Sequence, residues 1–166
     1  MPPIVCFIAA RSGTGKTTLL ETLIRELSGR GYRIGAIKND AHSFEIDSPG
    51  KDTWRFAQAG AHGVAIISSE RFALIQRTKE HAQLEAVAAR FDPVDLILVE
   101  GFKTSSHPKI EIVRQAHGTR FVSPAQDLLA IVTDLAVCPP PYAALPKFGL
   151  TDSRRLADFL VARFLS

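Results

Sequence analysis

Hydrophobic and polar positions alternate along this chain in a way that predicts strands and helices in turn. An apolar run over residues 4–9 predicts the first strand, and leucine and isoleucine then recur at helical spacing over residues 16–30. A second strand is predicted over residues 33–38, and the wholly apolar run at 96–99 is typical of a parallel strand buried on both faces. This order predicts an α/β fold with a mostly parallel central sheet and helices on both faces.

The remaining segments complete the predicted architecture. Two apolar runs, residues 64–68 and 72–77, flank Ser69-Glu70-Arg71 and predict a β-hairpin excursion. Further helices are predicted over residues 53–59, 81–91 and 154–165, and further strands over residues 109–114 and 129–133. With 166 residues, the chain is expected to form a single domain, residues 1–166.

Composition excludes several classes of protein. A formal net charge of +3 is only mildly basic, and lysine and arginine are scattered, so nucleic acid is not an expected partner. No apolar run approaches the roughly twenty residues of a membrane span, and no signal peptide is expected. The two cysteines, Cys6 and Cys138, lie far apart in sequence and are expected to be reduced thiols, which favours a cytoplasmic location.

The strongest chemical motif follows the first predicted strand. Residues 10–18 have the sequence ARSGTGKTT, a phosphate-binding loop in which Ala10 replaces the usual first glycine. Gly13 and Gly15 let the backbone curl so that N–H groups point at phosphate oxygens, and the helix that begins at Lys16 adds its N-terminal dipole. The residues predicted to hold a nucleoside triphosphate are Ser12, Gly13, Thr14, Gly15, Lys16, Thr17 and Thr18. With this motif, the predicted fold is a P-loop NTPase fold, and residues 1–166 are predicted to form a single P-loop nucleotide-binding domain.

A second motif supplies a carboxylate for Mg²⁺. The apolar run at 96–99 ends in Glu100 and Gly101. An acid at the end of a strand beside a phosphate loop lies where Mg²⁺ and its waters sit, so Mg²⁺ is predicted on the Thr17 hydroxyl with Glu100 nearby. Asp95, at the other end of this strand, is expected to be solvated.

A polar segment of mixed charge, residues 39–53, follows the second predicted strand, which ends at Lys38. The ligand-binding residues predicted here are Lys38, Asp40, His42 and Lys51, and Asp40 is also a candidate second carboxylate for Mg²⁺. Two alternatives stay open, a transition-metal site that uses Asp40 with His42 and a loop that is simply solvated.

One residue addresses the base of the nucleotide. Asp134 directly follows the strand predicted at 129–133, where an aspartate can accept hydrogen bonds from the N1–H and the amino group of guanine. The Asn and Lys of the full guanine signature are absent ahead of it, so a preference for guanine is only weakly indicated.

No residue is predicted to be catalytic. An arginine finger or a water-positioning glutamine cannot be assigned, so any hydrolysis of the nucleotide is expected to be slow. The histidines outside the polar segment show no partner spacing and are expected on the surface: His62, His81, His107 and His117.

Three segments together resemble one family. They are residues 9–18, residues 37–54 (IKNDAHSFEIDSPGKDTW) and residues 95–103 (DLILVEGFK). Their order and spacing are similar to those of the MobB family, the molybdopterin-guanine dinucleotide biosynthesis adapter proteins. Asn39 departs from the family pattern, since many relatives carry His after the strand lysine, and a ligand contact of that histidine would be lost here.

The resemblance implies a GTPase-like homodimer that binds GTP with Mg²⁺ and hydrolyses it slowly at most. It also implies an adapter role beside MobA, the guanylyltransferase that joins GMP to molybdopterin. The alternative from another class is a P-loop small-molecule kinase, in which Asp40 or Glu100 would activate an acceptor hydroxyl. A metal-delivery GTPase would need a Cys/His cluster that the sequence does not supply.

Overall fold

A computed structural model of the chain describes residues 1–40 and 44–166. The strands are β1 (Ile4–Ile8), β2 (Ile34–Lys38), β3 (Gly63–Ile67), β4 (Phe72–Gln76), β5 (Leu96–Glu100), β6 (Lys109–Val113), β7 (Leu128–Thr133) and β8 (Lys147–Phe148). The helices are α1 (Lys16–Gly29), α2 (Asp52–Gln58), α3 (Leu84–Ala88) and α4 (Ser153–Phe164). The chain divides into two compact units, one formed by Met1–Asn39 with Ala88–Ser166 and the other by Asp40–Val87. The single-domain description stays a prediction.

Parallel strands form the sheet of the first unit, in the order β2-β5-β1-β6-β7-β8. In the register of this sheet Phe7 lies opposite Glu100 and Ile8 lies opposite Glu111, so β1 is flanked by β5 and β6. Because the strands run the same way, the segments that follow β1, β5, β6 and β7 meet at one edge. The predicted α/β fold with a mostly parallel central sheet flanked by helices is confirmed.

The core of the first unit lies between one face of this sheet and the two long helices. Leu23 and Leu27 of α1 and Leu160 of α4 are fully buried in one cluster with strand residues. Burial of a leucine side chain contributes about 1.5–3 kcal/mol, so these helix faces hold the unit together. The predicted central strand at 96–99 is also confirmed, since each of its side chains is at most 1% exposed.

A buried carboxylate lies on the opposite face of β6. Glu111 alternates with the core residues Ile110 and Ile112 and is 0% exposed. Its Oε1 accepts a hydrogen bond from the backbone N–H of Val122 at 2.7 Å, and its Oε2 accepts one from that of Ser123 at 3.2 Å. Burial raises the pKa of Glu111, and the two backbone hydrogen bonds oppose that rise. The carboxylate therefore fixes the segment at 122–123 against the sheet.

Asp95, which was expected to be solvated, is partly exposed and is paired with Arg33. Its Oδ1 accepts a hydrogen bond from Arg33 Nη2 at 2.9 Å, and its Oδ2 accepts one from the backbone N–H of Arg33 at 2.7 Å. Arg33 and Asp95 immediately precede β2 and β5, which are paired in parallel from Ile34 and Leu96 onward. The ion pair therefore joins the starting points of these two strands.

Two short elements differ from the prediction. The helix expected over residues 81–91 is only Leu84–Ala88, a single short turn whose buried positions are Leu84 and Ala88. Strand β8 was not predicted at all. It has two residues, which is too few to show any alternation, and it pairs with Ile131 and Val132 of β7.

The second unit contains α2 and an antiparallel hairpin of β3 and β4. Val64 lies opposite Ile75 and Ile67 opposite Phe72, so the predicted hairpin is confirmed. Most apolar side chains of the hairpin point into solvent: Ile67 is 81% exposed and Phe72 is 68% exposed. None of the helices in the described part of the chain has the length and apolar character that crossing a membrane requires.

Candidate nucleotide site at the phosphate loop

The loop between β1 and α1 has the conformation that phosphate binding requires. Gly13 and Gly15 have φ angles of 74° and 89°, a left-handed region that side chains other than glycine rarely adopt. Gly15 is the N-cap of α1, no side chain caps the helix, and no acidic residue occupies its first turn. The first N–H groups of α1 and the positive end of its dipole therefore remain available to an anion.

Lys16 is folded back over this loop. Its Nζ donates a hydrogen bond to the carbonyl oxygen of Arg11 at 3.2 Å and to Thr14 Oγ1 at 3.5 Å. Partial burial lowers the pKa of Lys16; Glu100 opposes this shift, and the positive charges of Lys103 and Lys38 add to it. Because Lys16 lies near two other positive charges, a negatively charged phosphate would relieve the repulsion among them.

The two residues predicted to bind Mg²⁺ from the loop and from β5 are in contact. Thr17 Oγ1 donates a hydrogen bond to Glu100 Oε2 at 2.9 Å. A hydroxyl and a carboxylate fit Mg²⁺, which takes oxygen ligands and completes its shell with phosphate and water. Among residues 1–40 and 44–166, no group of three His, Cys, Asp or Glu side chains could hold a metal ion.

The turn after Glu100 is tightly constrained. Gly101 has a φ of 104°, and a Cβ atom there would lie 3.1 Å from Asn39 Cβ. The Asn39 N–H donates to the Glu100 carbonyl oxygen at 2.9 Å, so the ends of β2 and β5 are joined at this point. Lys103 Nζ then reaches back and donates to the carbonyl oxygen of Ala10 at 3.3 Å. Sequence reasoning missed this contact of Lys103, which no motif signals.

The other side of the loop faces the segment that follows β6. A Cβ atom on Gly15 would lie 3.9 Å from Arg114 Nη1, and one on Gly13 would lie 3.8 Å from His117 Cε1. Neither Arg114 nor His117 was predicted to approach the phosphate loop. Their positions follow from the pairing of β6 with β1, a contact between segments more than a hundred residues apart that no local pattern reveals.

Asp134 makes two contacts with the segment that follows β6. Its Oδ1 accepts the backbone N–H of Gln115 at 2.7 Å, and its Oδ2 lies 3.6 Å from Arg114 Nε. The hydrogen bond from Gln115 is the main reason that the pKa of Asp134 is lowered. The recognition of guanine by Asp134 stays a prediction.

A cavity of about 500 Å³ opens beside the loop, on the side of the sheet that α1 and α4 cover. Its lining combines loop residues, hydroxyl side chains and strand ends: Thr14, Gly15, Thr18, Leu19, Thr22, Ile112, Arg114, Val132, Leu150, Thr151 and Ser153. Ligand sites in proteins have this range of size and this mixture of apolar walls and few polar groups.

The predicted residues of the mixed-charge segment fall into three groups. Lys38 ends β2 directly opposite Glu100 in the sheet and is an electrostatic neighbour of Lys16. Asp40 and Lys51 belong to the second unit, and His42 lies outside the described residues. The roles predicted for Asp40, Lys51 and His42, including the second carboxylate for Mg²⁺, stay predictions.

These features define the class of protein. A glycine loop runs from the end of a central parallel strand into a helix, and a threonine–carboxylate pair lies beside it, as in α/β proteins with a P-loop. Within that class, the family model described as "MobB: Molybdopterin guanine dinucleotide synthesis protein B" matches residues 4–134. The chain belongs to the MobB family.

Named relatives and a solved structure agree with this assignment. The chain is 40% identical to the molybdopterin-guanine dinucleotide biosynthesis adapter protein of Escherichia coli (strain K12), over 97% of this chain and 93% of that protein. It is also 40% identical to the Haemophilus influenzae protein of the same name, over 76% and 72% of the two chains. The crystal structure of Bacillus subtilis MobB superposes with a TM-score of 0.74 at 25% identity and covers 98% of each chain.

Proposed function

We propose that this protein binds GTP with Mg²⁺ and serves as an adapter in molybdenum cofactor biosynthesis. In that role it assists the attachment of GMP to molybdopterin, which forms molybdopterin guanine dinucleotide. The observation that carries the nucleotide part is the contact of Thr17 with Glu100 beside a loop whose N–H groups remain available. The pathway part is supported by the names of the E. coli and H. influenzae relatives.

The loop residues account for triphosphate binding in physical terms. The N–H groups of residues 13–18 would donate to the phosphates, and Lys16 would exchange its contacts with Arg11 and Thr14 for phosphate oxygens. Mg²⁺ would be held by Thr17 and by phosphate, with Glu100 nearby directly or through water, and would neutralise charge on the phosphates. We assign no catalytic residue, and hydrolysis that is slow at most is part of the proposal.

The nucleoside would occupy the cavity beside the loop. Thr18 and Thr22 of α1 and Thr151 ahead of α4 offer hydroxyl groups along its wall. The preference for guanine over adenine rests on the pathway, whose product contains guanine, rather than on a full guanine signature.

The partners in this proposal are a MobA-like guanylyltransferase and a second copy of the chain. An adapter acts on another protein, and the enzyme that attaches GMP to molybdopterin is the partner that we expect. The exposed apolar side chains of the β3–β4 hairpin support a homodimer. A cytoplasmic location also belongs to the proposal and agrees with Cys6 and Cys138, which are buried and not joined in a disulfide.

The small-molecule kinase is not favoured. The relatives of this chain by sequence are named as adapters. Glu100, one of the two residues that would activate an acceptor hydroxyl in a kinase, accepts a hydrogen bond from Thr17 instead.

Calorimetry on the purified protein tests the nucleotide part. We expect Mg²⁺-dependent binding of GTP that is tighter than binding of ATP, and we expect Lys16→Ala to abolish detectable binding because the loop loses the lysine that addresses the β- and γ-phosphates. The matched control is Lys79→Ala, which removes an exposed lysine of the second unit. Equal affinity for ATP would contradict the guanine assignment, and an unchanged affinity in Lys16→Ala would contradict the site itself.

A further inference from the structure

The sheet order gives the phosphate loop two chemically different sides. β1, which leads into the loop, has β5 on one side and β6 on the other. The charged neighbours of Lys16 are Glu100, Lys103 and Lys38, which end β5, follow it or end β2. The γ-phosphate and Mg²⁺ belong on that side, because Lys16 and Thr17 address them. The β6 side then faces the other end of a bound nucleotide.

Arg114 is a cation on the β6 side of the loop. It follows β6 directly with an extended backbone, and its Nη1 would lie 3.9 Å from a Cβ atom on Gly15. It lines the cavity beside the loop together with Thr14 and Thr18. In P-loop proteins the backbone of this loop cradles the α- and β-phosphates, so Arg114 lies within reach of that part of the ligand.

The guanidinium is also incompletely satisfied. Its Nε is buried and lacks a hydrogen-bond partner in the part of the chain that the structure describes. The nearest acceptor, Asp134 Oδ2, is 3.6 Å away, which is too long for a hydrogen bond. A buried N–H without a partner is unfavourable and calls for an explanation such as a ligand.

We propose that Arg114 is a nucleotide-binding residue whose guanidinium donates to the α-phosphate end of the bound nucleotide, and that Asp134 positions it. This inference rests on the proposed nucleotide site. Arg114 then stabilises GTP and GDP alike, because both carry the α- and β-phosphates. It differs in this respect from an arginine that acts on the γ-phosphate, which would distinguish the two nucleotides and would accelerate hydrolysis.

Asp134 acts in this proposal through the segment that it holds. One of its oxygens accepts the Gln115 N–H, and the other attracts the Arg114 guanidinium. His117, two residues further along, lies against Gly13, so the same segment covers the loop at two glycines. A carboxylate occupied in this way anchors the arginine instead of pairing with the base. The two roles of Asp134 have different consequences for nucleotide selectivity.

Affinities for GTP, GDP and XTP, measured by calorimetry on the full chain with Mg²⁺, test the proposal. We expect Arg114→Ala to weaken GTP and GDP by the same factor, about 10- to 100-fold, since charge-assisted hydrogen bonds to phosphate are lost. Arg114→Lys is expected to restore only part of the affinity, because an ammonium lacks the planar fork. We expect Asp134→Asn to weaken GTP and GDP equally, by less than Arg114→Ala, with no gain for XTP.

The outcomes separate this inference from the proposed function. Binding to Arg114→Ala that equals wild type would overturn the role of Arg114, and a loss confined to GTP would move Arg114 to the γ-phosphate. A gain of XTP affinity in Asp134→Asn would assign Asp134 to the base, because an amide in that position donates to the 2-oxo group of xanthine. Arg120→Ala, an exposed arginine outside the cavity lining, is the matched control. A wild-type protein that binds neither GTP nor GDP would remove the nucleotide proposal itself.

Thermal unfolding without nucleotide guards against a simple folding defect. Arg114→Ala and wild type are expected to unfold at similar temperatures. The ion pair of Arg114 with Asp134 is long, at 3.6 Å, and contributes little to stability, and Arg114 is not part of the hydrophobic core. Unfolding of Arg114→Ala at room temperature would assign Arg114 a structural role instead, and Arg114→Lys would then show whether charge alone restores binding.

Discussion

Glu111 shows how a single charged side chain can be accommodated inside the sheet. The residue is fully buried in β6, yet both of its oxygens accept backbone N–H groups from the loop at 122–123. Burial disfavours the charged carboxylate, and hydrogen bonds to it favour the charge; burial is the larger effect, so the pKa is raised above its ordinary value of 4.5. The folded chain therefore binds a proton on Glu111 more readily than the unfolded chain does.

This raised pKa predicts a pH dependence of stability. The contribution of Glu111 to the free energy of unfolding is fully present below pH 4.5 and is lost as pH rises through the higher pKa of the folded state. Glu111→Gln cannot titrate, so the stability of wild type relative to Glu111→Gln should fall as pH rises from 4.5 toward neutrality. Urea unfolding of both proteins at several pH values measures this difference. Parallel stability curves for the two proteins would contradict the prediction.

Residues of the site divide sharply by how far the sequence could predict them. Thr17 and Glu100 could be paired in advance, although 83 residues separate them, because each belongs to a motif with a known place on the sheet. Lys103 and Arg114 belong to no motif. Their contacts with the loop depend on the parallel pairing of β1 with β5 and β6, and a lone lysine or arginine in sequence carries no sign of that pairing.

At the scale of elements, the hairpin of β3 and β4 stands out because it exposes several large apolar side chains. Ile66, Ile67, Phe72 and Leu74 are each at least 49% exposed, on an antiparallel pair of only five residues per strand. A two-stranded hairpin is marginally stable alone and needs a further surface to pack against. A second copy of the chain would provide that surface in the proposed homodimer.

A charge placed in this apolar surface is predicted to separate the dimer. Ile67→Asp would force a carboxylate into the proposed interface, and because burial of an unpaired charge costs several kcal/mol, the dimer dissociation constant should rise by at least about 100-fold. Sedimentation equilibrium measures this change. Ser69→Asp, which adds the same charge at the exposed turn of the hairpin, is the control and should leave association unchanged. A monomeric wild-type protein at micromolar concentration would contradict the homodimer.

The elements that the sequence predicted well are those with several turns or strand residues of clear periodicity. α1 buries leucines at helical spacing, and β5 is apolar throughout, so both were located to within a residue or two. α3 and β8 were not, because five and two residues respectively provide too few positions for a period to appear. Their structure is set by neighbouring segments rather than by their own sequence.

At the scale of the whole molecule, the residues of the candidate site come together at one edge of the parallel sheet. The loop after β1 carries Lys16 and Thr17, and the ends of β5 and β6 supply Glu100 and Arg114 to its two sides. An adapter that senses GTP needs its nucleotide contacts to come from several segments, because a ligand held by many segments can alter the surface that each of them presents. Nucleotide binding is therefore expected to be required for the proposed cellular function, rather than to be a separate property.

The requirement can be tested in Escherichia coli that lacks its own relative, which is 40% identical to this chain. We expect the wild-type chain to restore the activity of molybdoenzymes that use the guanine dinucleotide form of the cofactor, measured at limiting molybdate. Lys16→Ala should fail to restore it, because the loop no longer holds the triphosphate, while Lys79→Ala should restore it fully. Comparable protein levels, measured by immunoblot, ensure that the comparison reports function. Full restoration by Lys16→Ala would mean that the adapter role does not depend on the nucleotide, and failure of the wild-type chain to restore any activity would count against the pathway proposal.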